Sequence, residues 1–170
     1  MISSGIEFFT ATCLNWQNLL SEEKHKKIVL DSLNFLVSEK RVWIYAYVIM
    51  PNHVHILWRK QNEWLDKSVQ QQFLKYTAQQ IKFNLIANFP HQLNNYRSTQ
   101  ADRLYHFWER RPYVATMFNR TVCEQKIDYI HNNPVKAALC DTPEEYHYSS
   151  ARFYCLNSPN PILMHYMEHI

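Results

Sequence analysis

The stretch Trp43-Ile-Tyr-Ala-Tyr-Val-Ile-Met-Pro-Asn-His-Val-His-Ile-Leu-Trp58 decides how this chain is read. Two β-branched and aromatic runs are separated by Pro51-Asn52, a turn dipeptide, and this predicts two adjacent strands. Side chains alternate across a strand, so His53 and His55 share one face while Val54 and Ile56 take the other. At a rise of about 3.3 Å per residue, same-face neighbours lie roughly 6–7 Å apart at Cβ. Two imidazoles at that spacing can converge on one divalent ion. An isolated His-x-His pair is equally at home on an ordinary surface strand, and spacing alone leaves both readings open.

Working outward, Ile6 to Leu14 is β-rich and predicts a first strand. Ser21, followed by Glu22 and Glu23, marks a helix start with acids in its first turn. Ile28, Val29, Leu33, Leu36 and Val37 then fall at helical spacing, and Glu39-Lys40-Arg41 closes the segment. The order β-α-β-β is the first part of a ferredoxin-like split unit. A second helix is predicted from about Lys67 to Asn88, with Val69, Phe73, Thr77, Ile81 and Leu85 on one stripe. Pro90 ends it, and the polar, aperiodic run from His91 to Leu104 predicts a loop.

Tyr105 to Phe118 predicts one or two short strands carrying Arg110 and Arg111 beside aromatics. Arginine interleaved with aromatic rings suits bases and phosphates. Phe107 and Trp108 as core, with the arginines on the rim, fits the same residues. Thr121-Val-Cys-Glu124 reads as a capping box. Its helix is expected to stop at Asn133, because Pro134 disfavours helical geometry in the residue before it. Cys123, Ile127 and Ile130 make the core stripe. At about 100° per residue, Tyr129 and Asn133 share a different face one turn apart, near Lys126.

Composition sets bounds on function. The 170 residues fit a single domain over 1–170, with the tail from about residue 140 an extension; 46% are hydrophobic and 15% aromatic, which predicts a packed core. The single glycine, Gly5, excludes a glycine-built phosphate loop, so any phosphate must be handled by side chains or a metal. Net charge is +3, compatible with nucleic acid without demanding it. Cys13, Cys123, Cys140 and Cys155 show no pairing pattern and read as reduced thiols in a cytoplasmic protein. No apolar run approaches the ~18–20 residues that span a bilayer, so no membrane partner is expected.

Three separated pieces resemble one family, in its order. His53-Val-His55 after Met-Pro-Asn resembles the HUH motif, a histidine pair around one bulky apolar residue. Tyr129-Ile-His-Asn-Asn-Pro-Val-Lys136 resembles the catalytic helix end of single-tyrosine HUH transposases. Tyr146-His-Tyr-Ser-Ser150, with Phe107-Trp-Glu-Arg110, is similar to the REP-associated tyrosine transposase branch. The match runs from the first strand to about Tyr154. Asn133 stands where insertion-sequence relatives carry Gln.

The resemblance implies an α+β fold: a ferredoxin-like antiparallel β-sheet with helices packed on one face and the tyrosine-bearing helix in the C-terminal third. It implies metal-dependent cleavage and rejoining of single-stranded or hairpin DNA, that is, DNA transposition through a 5′-phosphotyrosine intermediate. Carried over by position, His53, His55 and Asn133 become metal ligands and Tyr129 the nucleophile. Mg2+ or Mn2+ is the expected cofactor, and a homodimer is one possible assembly. A tyrosine hydroxyl, with an ordinary pKa of about 10, needs such activation at neutral pH. Arg110, Arg111, Lys126 and Lys136 are candidate DNA contacts. The competing readings are a hairpin-binding protein with lost chemistry and a metal phosphodiesterase that activates water at the same histidines.

Overall fold

The computed structural model describes residues 5–170. Four strands form one antiparallel sheet: β1 (Ile6–Thr12), β2 (Val42–Ile49), β3 (His53–Lys60) and β4 (Tyr113–Met117), in the spatial order β2-β3-β1-β4. That order is the ferredoxin-like arrangement expected from the sequence. β2 and β3 form a hairpin across Pro51-Asn52, closed by Met50 N–H donating to His53 C=O at 2.8 Å. The first strand stops two residues short of the predicted end. Cys13 onward leaves the sheet to bond with Asn52 and Phe107.

Three main helices cover the sheet, α1 (Glu23–Ser38), α2 (Val69–Asn88) and α3 (Arg120–Lys136), followed by a short α4 (Ala151–Cys155). α1 begins at Glu23 rather than Ser21, with Glu22 as its N-cap. The predicted stripe of α2 is buried throughout. Phe9, Ile44, Ile56 and Trp58 on one sheet face pack against Val29, Leu33 and Leu36 of α1 and Phe73, Ile81 and Leu85 of α2. Phe8, Tyr45, Val48 and Leu57 on the opposite face pack against Cys123, Ile127 and Ile130 of α3. Helices on one face therefore describes α1 and α2, and α3 is the exception. A sheet apolar on both faces has to be covered on both. The register of β2 shifts between Ile44 and Ala46, which places adjacent Tyr45 and Ala46 on the α3 side before alternation resumes.

Other local expectations are corrected. Asn119, not Thr121, caps α3, its Oδ1 accepting from Val122 N–H at 2.9 Å. The helix runs through Pro134 to Lys136 instead of stopping at Asn133. The proline removes one donor and does so within the last turn, where little of the ladder remains to be lost. The predicted loop after α2 holds a 3-10 segment, Pro90–Tyr96, that buries Leu93 and Tyr96. Between Tyr105 and Phe118 the one strand is β4. Phe107 and Trp108 are core, and Trp108 Nε1 donates to Thr77 Oγ1 at 3.1 Å.

The tail is bonded to β2. Tyr154 Oη donates to Tyr45 C=O at 2.7 Å, Tyr146 Oη to Ile49 C=O at 2.6 Å, and Met164 N–H to Ile44 C=O at 2.9 Å. Among the described residues no helix is long and apolar enough to cross a membrane. All four cysteines are free.

Candidate active site

The site lies on the α3 face of the sheet, at the β3 end nearest the Pro51-Asn52 turn. Strand alternation puts His53 and His55 side by side, ring centroids 4.7 Å apart. Each imidazole is oriented through Nδ1. His53 Nδ1 lies 2.7 Å from Asn52 Oδ1, an acceptor, so the proton sits on Nδ1 and Nε2 presents its lone pair. His55 Nδ1 lies 2.7 Å from Thr10 Oγ1, supplied by β1 at the position directly opposite. His55 Nε2 is buried and has no hydrogen-bond partner. An orphaned buried ring nitrogen costs about 1–3 kcal/mol unless something fills the place in front of it.

Both rings stay neutral. Burial, then the neighbouring His53 and Lys126 charges, pushes His55 down to about 3. Burial lowers His53 as well, opposed by the Asn133 side chain, whose oxygen accepts from the protonated ring. That interaction places Asn133 beside His53. Among the described residues no cluster of three or more His, Cys, Asp or Glu side chains could hold a metal. The Asn133 amide oxygen is an uncharged donor beside His53, outside those four residue types. Two neutral imidazoles, each held through its Nδ1 atom, with one amide oxygen nearby fit a divalent cation with open positions for phosphate and water.

Tyr129 enters from α3. Its ring lies 5.3 Å from that of His55 and 6.1 Å from that of Phe8, while the residue remains 42% exposed. Helical continuation through Pro134 keeps Asn133 one turn along the same face, as the spacing predicts. Lys126 Nζ sits 5.3 Å from the Tyr129 ring centre and 4.6 Å from that of Phe8, and Lys136 Nζ lies 5.9 Å from Tyr129. Of the four basic residues singled out from sequence, these two flank the tyrosine. Arg110 is engaged by Asp102 at 3.0 Å, and Arg111 is exposed at φ 59°. Neither arginine makes a hydrogen bond, ion pair or ring contact with Tyr129, His53 or His55.

α3 is locked in place beneath the site. His131, two residues past the tyrosine, points into the protein and meets Ser150 Oγ at 2.7 Å, and Ser150 is itself bonded to the Tyr47 backbone. Burial pushes His131 down to about 4.

Sequence reasoning passed over Thr10, Asn52, His131 and Trp16. Asn52 adjoins the pair and could have been noticed. Thr10 is identified only by strand register. Trp16 follows the end of β1, 62% exposed, its ring 6.0 Å from that of His53. Asn15 and Trp16 are both left-handed, at φ 55° and 57°, a conformation costing on the order of 1–3 kcal/mol for each non-glycine residue.

No protein-family profile and no curated protein sequence matches the chain. Among solved structures, a REP-associated tyrosine transposase bound to a REP hairpin superposes with a TM-score of 0.66 at 18% identity, covering 95% of this chain and 86% of that one. A protein from Deinococcus radiodurans described as a candidate transposase aligns with a TM-score of 0.44 at 17% identity, covering 78% of this chain and 92% of that one. The first likeness establishes a shared fold.

Proposed function

We propose that this chain is a DNA-transposition enzyme that nicks and rejoins single-stranded DNA beside a hairpin, with Tyr129 as nucleophile and His53, His55 and Asn133 as ligands of a divalent cation, Mg2+ or Mn2+. The observation that carries the reading is the meeting, on one sheet face, of a buried partnerless His55 Nε2 and the Tyr129 ring 5.3 Å away. The hairpin-bound neighbour of the same fold supports the choice of DNA. Four free thiols suit the reducing cytoplasm.

In this mechanism Tyr129 Oη attacks the scissile phosphorus. The new Oη–P bond replaces the P–O3′ bond, leaving the downstream strand as a 5′-phosphotyrosine. The tyrosine proton is lost and the departing 3′-oxygen takes one up. Lys126 and Lys136 set two ammonium groups beside the Tyr129 ring, where the phosphate must approach. When bound, the cation polarises the phosphate oxygens and spreads the developing charge. Attack by a 3′-hydroxyl on the phosphotyrosine reverses the exchange, so bond energy is kept and no water needs activation. Tyr129 reaches the histidines of its own chain, so a second copy is not required to complete the site.

The test uses single-stranded hairpin DNA from the flanks of the chain's own gene, labelled at its 3′ end and incubated with Mn2+, then resolved on a denaturing protein gel. A labelled band at protein size, absent in Tyr129→Phe and with chelator, is the expected result. Cleaved DNA without an adduct would establish the phosphodiesterase instead. Tight binding without cleavage under any metal would make the chain a hairpin-binding protein.

A further inference from the structure

We infer that Trp16 is a stacking platform for a nucleobase, the one immediately 5′ of the scissile phosphate. Its placement relative to that phosphate rests on the strand-transfer reading; its capacity to stack does not. Three observations carry it. The indole is 62% exposed, and its contact with His53 is edge-on, with ring centres 6.0 Å apart and planes at 66°. An aromatic face is therefore left open beside the histidine pair.

The backbone that carries the ring is also held in place. Cys13 N–H donates to Asn52 C=O at 2.9 Å and Leu14 N–H to Phe107 C=O at 2.8 Å. Asn15 N–H donates to Glu109 Oε1 at 2.6 Å, and Gln17 Nε2 donates to Asn95 C=O at 2.9 Å. These bonds keep two consecutive residues in the left-handed region, where a bulky residue such as Trp is an outlier. A fixed backbone that presents a large ring to solvent suits stacking, because little backbone entropy is lost when a base arrives.

Position then selects the base. Tyr129 flanks His55, whereas Trp16 flanks His53. In phosphoryl transfer the attacking and leaving oxygens lie roughly in line through phosphorus. With Tyr129 attacking from the His55 side, the departing 3′-oxygen and its nucleotide lie on the side of His53. That nucleotide is the one Trp16 faces.

The first arm of the test needs neither cleavage nor a known target. Binding of a short fluorescent oligodeoxyadenylate and of an abasic strand of equal length is measured by anisotropy, with chelator, for the wild-type chain, Trp16→Ala and Trp16→Phe. The wild-type chain is expected to favour the adenylate by about 5- to 150-fold, the range of one base–aromatic stack. Trp16→Ala should collapse that ratio and Trp16→Phe retain most of it, with abasic binding equal in all three. Circular dichroism confirms folding. An unchanged ratio in Trp16→Ala, or a wild-type chain that does not distinguish the strands, overturns the inference.

The second arm uses the strand that forms the Tyr129 adduct, made abasic on either side of the nick. Loss of the Trp16→Ala effect when the 5′ nucleotide is abasic supports the assigned position, and loss with the 3′ nucleotide overturns it. Base-dependent binding through Trp16 without any adduct would leave the stacking intact and remove the strand-transfer reading. An adduct with a Trp16-independent ratio would do the reverse.

Discussion

Acid should loosen the tyrosine helix through His131, and the size of the effect follows from its burial. His131 is 5% exposed and bonds Ser150 on the tail that pairs with β2. Burial lowers it from the ordinary 6.5 to about 4. The folded state therefore holds the neutral ring, while the unfolded chain binds a proton below 6.5. The resulting sign is that stability is complete above pH 6.5 and falls as pH drops toward 4, at about 1.4 kcal/mol per pH unit in between. Integrated, the loss is about 2 kcal/mol at pH 5 and about 3 kcal/mol at pH 4. The perturbation is His131→Gln, which keeps a polar reach toward Ser150 without titrating.

The assay is urea unfolding of both chains from pH 7.5 to 4. The absolute stability of His131→Gln matters little, because the carboxylates titrate alike in both chains and cancel in the difference. The wild-type curve should approach or cross that of the variant as pH falls, closing by about 2 kcal/mol by pH 5. Curves that stay parallel over that range would refute the reasoning, because His131 would then titrate alike in folded and unfolded chains.

Other outcomes follow from the same contacts. Thr10→Val removes the group that orients His55 while preserving shape, and Mn2+ affinity by calorimetry should fall about 10- to 100-fold; unchanged affinity would separate Thr10 from the metal site. Asn119→Ala should cost about 1 kcal/mol in thermal unfolding, whereas Thr121→Ala should be nearly neutral; the opposite ranking would restore the capping box read from the sequence. Tyr129→Phe should abolish the adduct and shift stability by no more than about 0.5 kcal/mol, since the ring is half exposed; a large loss of stability would make the hydroxyl structural. Lys126→Met should lower the nicking rate on the hairpin strand while leaving the fold intact by circular dichroism, and an unchanged rate would remove the lysine from the mechanism.

What the sequence made legible was whatever local periodicity controls. The His53–His55 pair follows from alternation within one strand, the Tyr129–Asn133 pair from one turn of one helix, and the stripe of α2 from the same rule carried from Val69 to Leu85. The cap of α3 was misread because Asn119 and Thr121 both satisfy capping chemistry. The choice between them depends on where β4, paired with β1 as far as Ile6 and Met117, releases the chain. Phe107 and Trp108 were ambiguous because arginine beside aromatics has the same composition in a core edge as in a nucleic-acid platform. Trp108 meets Thr77 and Cys13, distant in sequence, and the Phe107 ring packs against Tyr96.

The remaining pieces share one property: each is delivered by a contact that no local pattern encodes. Thr10 becomes the orienting partner of His55 only because β1 pairs with β3 in a register that sets the two opposite. A slip of one residue would turn the Thr10 hydroxyl to the α1–α2 face and leave His55 unoriented. α3 packs on the sheet through Cys123, Ile127 and Ile130, and the tail that returns to β2 ties it down further by offering Ser150 to His131. The chemistry-bearing residues are thus local motifs, and the site is a product of register. For that reason Thr10→Val and His131→Gln, neither of which alters a motif residue, are sharper tests of the assembled site than replacing the histidines themselves.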